Sequence, residues 1–148
     1  MIIIGLSISF AYLLTLEQIP IQIGEFLTGI TENKIMILLL INALLLFVGM
    51  FIDTISAIVV LTPILLPVAM NIGIDPIHFG IMLVTNLAIG CITPPVGVNL
   101  FVASSVGRTP IEKISRAILP ILLSMIITLI IITYVPETSL FLPDLLLE

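Results

Sequence analysis

Two adjacent prolines, Pro94 and Pro95, stand inside an apolar run from Phe79 to Ala103. Such a run is long enough to cross a bilayer, since about 20 apolar residues rising about 1.5 Å each match a hydrocarbon core of roughly 30 Å. It cannot be one continuous helix. Each helical N–H bonds the carbonyl four residues back and proline has no N–H, so Pro94 releases the carbonyl of Gly90 and Pro95 that of Cys91. Lipid supplies no substitute donor, and irregular backbone at that depth persists only when buried in protein or lining a wet cavity.

Gly90 and Gly97 flank the break with residues that accept unusual backbone angles, and Thr93 adds a hydroxyl beside the freed carbonyls. Oxygen-rich and uncharged, the cluster suits a small hard cation such as Na⁺. Broken helices of this kind recur in secondary transporters, where unwound carbonyls and half-helix ends hold a coupling ion. The competing reading is a plain proline kink repaired by a neighbouring hydroxyl or by water.

Composition fixes the class. The chain is 60% hydrophobic and 9% charged with a mean hydropathy of +1.42, whereas a soluble domain carries about 25% charged residues. An all-α integral membrane protein is expected. Cys91 is the single cysteine, so no disulfide framework is possible, and it reads as a small apolar filler. No signal peptide is evident: Met1 opens into Ile2-Ile3-Ile4 with no basic start.

In chain order, residues 1–16 read as a transmembrane helix or the remainder of one. Residues 17–32 mix Glu17, Gln18, Gln22 and Glu25 with Ile19, Ile21, Ile23 and Phe26, the pattern of an amphipathic helix lying at the interface. Within residues 33–71, Ile35 to Met70 form an apolar tract interrupted by one charge, Asp53. A single helix over it would be more than about 50 Å long, so it must fold back as a helical hairpin, with the reversal at Gly49 to Thr54. Two short spans meeting in a surface loop would satisfy this, as would a re-entrant hairpin with a buried tip. The apolar tip Val48-Gly49-Met50-Phe51-Ile52 favours burial. Asp53 is therefore read both as a candidate ion- or substrate-site carboxylate and as the N-cap of the second limb.

Asn71 to Pro76 ends that limb with Gly73 and starts the next helix with an Asp75 cap and Pro76. Residues 75–106 then make the discontinuous helix. His78, the only histidine, reads as an interfacial polar residue rather than a metal ligand or proton relay. Arg108, Lys113 and Arg116, three of the four basic residues, collect between the broken segment and the apolar stretch Ala117 to Tyr134 of a last helix over residues 111–135. The positive-inside rule puts that loop in the cytoplasm and the acidic tail, residues 136–148, outside.

The order Gly49-Met50-Phe51-Ile52-Asp53, Pro63-Ile64-Leu65-Leu66-Pro67, Gly73-Ile74-Asp75-Pro76-Ile77-His78-Phe79-Gly80, Asn86-Leu87-Ala88-Ile89-Gly90, Thr93-Pro94-Pro95-Val96-Gly97 and Asn99-Leu100-Phe101-Val102-Ala103 resembles the carboxyl-terminal half of the large permease subunit of tripartite ATP-independent periplasmic (TRAP) transporters. The likeness is collinear and covers nearly the whole chain. It implies a multi-pass protein of a bacterial or archaeal inner membrane that imports C4-dicarboxylates, sialic acids or other organic acids, driven by Na⁺. A periplasmic binding protein would deliver the substrate, and a small membrane subunit would stand alongside.

The resemblance also implies an elevator-type fold of two inverted repeats, each with a re-entrant helical hairpin and a discontinuous transmembrane helix. Carried over by position, Gly49, Gly90 and Val96 would give backbone oxygens to Na⁺, with Thr93 beside them. Asp53, Thr54, Asn86, Pro94, Pro95 and Asn99 would line the substrate side. Only the second repeat is matched, so the chain is expected to be a fragment, a split subunit or a remnant whose partner is the N-terminal half. No cofactor beyond the coupling ion, no nucleic-acid partner and no enzymatic role are expected.

Three other readings compete. Half of a different Na⁺-coupled organic-anion carrier would share the cation site and need no binding protein. A non-transporting assembly protein or membrane remnant would bind no Na⁺. An intramembrane aspartyl protease needs two carboxylates in one site, and Asp75 lies at a membrane boundary, away from Asp53.

Overall fold

The computed structural model describes residues 33–141, together with isolated positions before them, and the regular structure among these residues is all helical. The expected first span and interfacial helix, residues 1–32, lie outside the described residues apart from those isolated positions, as does the tail beyond Phe141. Five helices follow one another: α1 (Lys34–Phe51), α2 (Thr54–Asn71), α3 (Pro76–Gly90), α4 (Val98–Gly107) and α5 (Ile111–Tyr134). Three of them, α1, α2 and α5, are long and apolar enough to cross a membrane.

Local chemistry sets the boundaries. Asn33 caps α1 by accepting from the Ile35 N–H at 3.0 Å. Asp53 caps α2 by accepting from Ile55 N–H at 3.2 Å and Ser56 N–H at 3.3 Å. Asp75 caps α3 by accepting from Ile77 N–H at 2.8 Å, with Pro76 at the first helical position where no donor is needed. The reversal between α1 and α2 takes only Ile52 and Asp53. Between α2 and α3, Gly73 adopts a φ of +74°, a conformation that a side chain disfavours.

The core forms around α3. The limbs α1 and α2 pack chiefly on α3 rather than on each other, burying Ile37, Ile41 and Leu45 of α1 and Ala57, Leu65 and Ala69 of α2 against Phe79, Met82, Leu83 and Leu87. A second cluster joins Ile89 to Leu122 and Leu129 of α5. The outer faces are apolar and exposed, including Phe47, Phe101, Leu123 and Ile127, as expected of helices meeting lipid or protein rather than water.

One end of the bundle is tied by Lys34 Nζ, which donates to the Gly73 carbonyl at 3.0 Å, and by Tyr134 Oη, which donates to the Ile35 carbonyl at 3.1 Å. The same end holds His78, whose Nε2 donates to the Thr133 carbonyl at 3.3 Å. His78, read from sequence as an interfacial polar residue, is buried at this end of the bundle, because the last turn of α5 covers the start of α3.

Candidate functional site

The hairpin tip and the helix break come together. A Cβ added to Gly90 would fall 2.7 Å from the Gly49 Cα and 2.9 Å from the Leu46 carbonyl oxygen, so the ends of α1 and α3 touch through bare backbone. Beside this contact, Thr54 Oγ1, at the start of α2, lies 3.2 Å from the Sγ of Cys91, the residue after Gly90. Sequence reading treated Cys91 as filler; its position immediately after Gly90 is the signal that places it here.

Between α3 and α4 the chain runs through Cys91 to Gly97 without regular structure, with a cis bond joining Pro94 and Pro95. The expectation of two bare carbonyls at Gly90 and Cys91 is corrected. The Thr93 N–H donates to the Gly90 carbonyl at 2.9 Å, and the Asn99 N–H donates to the Cys91 carbonyl at 3.1 Å. The chain tightens into a turn after Gly90 and then doubles back, which brings α4's first turn onto oxygens that proline freed. Gly97 permits the return, since a Cβ there would lie 2.9 Å from the Thr93 carbonyl and 3.0 Å from that of Cys91.

The unpaired oxygens instead lie further along. Among the described residues, no carbonyl from Ile92 to Val96 accepts a hydrogen bond. At the tip, the Ile52 N–H returns to Val48, leaving the Gly49 carbonyl without a donor from its own helix end. Thr93 Oγ1 donates to the Ile89 carbonyl at 2.7 Å, so its proton is committed and its lone pairs remain available. An uncharged set of carbonyl and hydroxyl oxygens matches the preference of a hard cation.

Helix polarity sharpens the picture. The carboxyl ends of α1 and α3 meet at Gly49 and Gly90, concentrating partial negative charge. The amino ends of α2 and α4 meet at the same level, through Thr54 against Cys91 and Asn99 against Cys91. The start of α4 carries no side-chain cap; its Asn99 and Leu100 N–H groups bond the Cys91 and Gly97 carbonyls, and the Val98 N–H is left as a donor of the kind that binds carboxylates. A cation-favouring and an anion-favouring pole therefore adjoin.

Ile89, next to the break, packs against Leu122 and Leu129, so the break lies alongside the middle of α5, which runs from Ile111 to Tyr134.

Residues 1–138 match the family model described as "Tripartite ATP-independent periplasmic transporter, DctM component". The chain belongs to this family. It is 49% identical over 95% of its length to an isethionate TRAP transporter permease protein, DctMQ, of Oleidesulfovibrio alaskensis, covering 22% of that protein. It is 47% identical over 97% of its length to the C4-dicarboxylate TRAP transporter large permease protein DctM of Pseudomonas aeruginosa, and spans 34% of it. With the sialic acid TRAP transporter large permease protein SiaM of Vibrio cholerae it shares 40% identity over 99% of its length and 34% of the relative's. The chain thus spans between 22% and 34% of the length of these relatives. They are permease subunits rather than enzymes, and this DctM-family chain is a membrane-embedded segment of the same kind.

Within this DctM-family segment, the carried-over residues separate into two groups. Gly49, Gly90, Thr93 and Val96 stand at or beside the junction of tip and break, as do Thr54, Pro94, Pro95 and Asn99. Asp53 is at the tip but exposed, with its carboxylate on the start of α2, and Phe51 and Ile52 are exposed with it. Within this chain Gly49 is buried and Val48 and Met50 are half-buried, because α3 covers the inward side of the turn. Asn86 is fully buried one turn before Gly90 and faces α1, its Nδ2 donating to Asn42 Oδ1 at 2.6 Å and to the Met82 carbonyl at 3.0 Å.

Proposed function

We propose that this segment forms the sodium-binding half of a TRAP large permease that imports an organic acid, with a C4-dicarboxylate as the leading class. The observation that carries the reading is the meeting of two helix carboxyl ends and two helix amino ends at Gly49, Gly90, Thr54 and Asn99. Na⁺ sits among the carbonyls of Gly49 and of Ile92 to Val96, with Thr93 Oγ1 beside it. The Gly90 carbonyl, already bonded once, keeps its second lone pair for the ion. Bound positive charge then draws the substrate carboxylate to the uncapped start of α4, lined by Thr54, Pro94, Pro95 and Asn99. Asp53 sits at the rim, and Asn86 acts from the layer behind.

Packing of Ile89, beside the break, against the middle of α5 supports a re-entrant hairpin entered from outside and a discontinuous helix completing the crossing. Relatives spanning three times this length supply the other inverted repeat, which closes the substrate cavity and lets one half slide as an elevator against a scaffold. The small membrane subunit and a periplasmic binding protein complete the assembly in the inner membrane of a bacterial or archaeal cell. Relatives named for C4-dicarboxylates and sialic acid support the substrate class.

Uptake by the complete transporter in proteoliposomes tests this. Thr93→Ala should raise the Na⁺ concentration for half-maximal uptake several-fold with unchanged insertion; an unaltered sodium response rejects the site. Omission of the binding protein should abolish uptake, and persistence would assign the chain to a carrier that works without one.

A further inference from the structure

We propose that Asn42 is a positioning residue: its side chain sets the register of α1 along α3 and so decides whether the hairpin tip meets the helix break. Nothing in the sodium-site reading requires this, and it stands whether or not an ion binds there.

Three helices are joined by one relay of buried side chains. Asn86 Nδ2 of α3 donates to Asn42 Oδ1 of α1 at 2.6 Å, and Asn42 Nδ2 donates onward to Thr133 Oγ1 of α5 at 2.9 Å. Thr133 Oγ1 passes its own proton to the Leu129 carbonyl at 2.8 Å. Asn42 is thus the only member that both accepts and donates between helices, and it is 8% exposed while Asn86 and Thr133 are 0% and 2% exposed.

Apolar packing alone specifies register poorly here. The contact faces of α1 and α3 are built from Ile37, Leu38, Ile41, Leu45, Phe79, Met82, Leu83 and Leu87, and α1 presents apolar residues on every side. A shift of one turn along such a surface exchanges one aliphatic contact for another, and lipid is as apolar as either. The glycine contact tolerates no such shift, since it needs Gly49 opposite Gly90 with backbone separations that any Cβ would violate. A directional amide pair about two turns from Gly49 supplies what the aliphatic face lacks. A single buried asparagine that fixes register at a cost in stability is the best-attested use of such a group.

The native thiol gives a direct readout. Thr54 Oγ1 stands 3.2 Å from Cys91 Sγ, so Thr54→Cys places a second thiol within reach of a bridge across the tip and the break. In the purified chain in micelles, mild oxidation of that variant should consume both thiols rapidly, as counted by maleimide mass-tagging. Adding Asn42→Leu should slow the loss by roughly three- to tenfold, the equilibrium worth of one interhelical hydrogen bond within a membrane.

The double variant Asn42→Leu/Asn86→Leu separates register from stability. Replacing both polar partners by apolar ones leaves no unsatisfied group and should restore the melting temperature, while bridging stays slow. Thr133→Val keeps the Asn42–Asn86 pair and should bridge at the background rate. Background-rate bridging in the double-leucine chain overturns the proposal. So does a Thr133→Val chain slowed as much as Asn42→Leu, because bridging would then follow general stability.

Discussion

Gly49 and Gly90 lie backbone against backbone, with a Cβ built on Gly90 falling 2.7 Å from the Gly49 Cα and 2.8 Å from its carbonyl carbon. Two helices end at this contact, so their unpaired carbonyls share one small volume. A methyl group at either position moves a helix end, and with it the polarity of the site.

Gly90→Ala should therefore destabilise the bundle by about 1–3 kcal/mol, the usual cost of overpacking where the obstructing atoms are backbone. Gly80→Ala provides the contrast within the same helix, since nothing lies within 4 Å of a Cβ there, and it should be neutral or stabilising by up to about 1 kcal/mol. Denaturant titration of the two variants in micelles measures the difference. Equal stability of the two would show that α1 and α3 are further apart than the structure places them.

Asp53 separates a capping function from a transport function. Asparagine caps nearly as well as aspartate, whereas alanine forfeits about 1 kcal/mol. Asp53→Asn should keep normal abundance and melting temperature, and Asp53→Ala should lower both slightly. In the complete transporter, uptake should fall with both substitutions if the carboxylate lies at the rim of the substrate site. Wild-type uptake by Asp53→Asn would leave Asp53 with the cap alone.

Much of this architecture was legible in residue order. The tandem prolines require an interrupted helix, and α3 and α4 are separated at Cys91 to Gly97. The length of the apolar tract requires a fold-back, which Ile52 and Asp53 supply. Other features depend on tertiary placement that no local pattern encodes. Carbonyls freed by proline were expected to be bare, but Thr93 and Asn99 reach them once the chain turns back on itself. The burial of His78 was not legible because its cover, the last turn of α5, lies 55 residues away in sequence. Asn42 drew no notice, since one asparagine in an aliphatic helix becomes informative only when Asn86 and Thr133 are seen beside it.

Gly97→Ala tests the return path of the break rather than the helix crossing. The added methyl would press on the Thr93 and Cys91 carbonyls at 2.9 Å and 3.0 Å, and the Asn99-to-Cys91 bond that holds α4 in place would lengthen or open. Loss of about 1–3 kcal/mol is expected, together with weaker sodium dependence of uptake in the complete transporter. A variant with normal stability and normal sodium response would mean that the turn relaxes freely and does not shape the site.

Cys91 reports the same region without any mutation. It is 6% exposed, enclosed by the Thr54 hydroxyl and the ends of α1 and α3, so a maleimide must wait for the tip to part from the break. Labelling of the folded chain should be slow, and fast after unfolding in dodecyl sulfate. Any ion that binds only the closed junction lowers the open fraction in proportion to its occupancy, and so lowers the labelling rate. Sodium chloride should accordingly protect Cys91 more than potassium or choline chloride at equal ionic strength, by about twofold when the Na⁺ concentration equals its dissociation constant. Thr93→Ala should remove most of that difference while leaving the rate in choline chloride unchanged. Identical rates in all three salts would show that these oxygens, as this chain arranges them, do not by themselves select Na⁺.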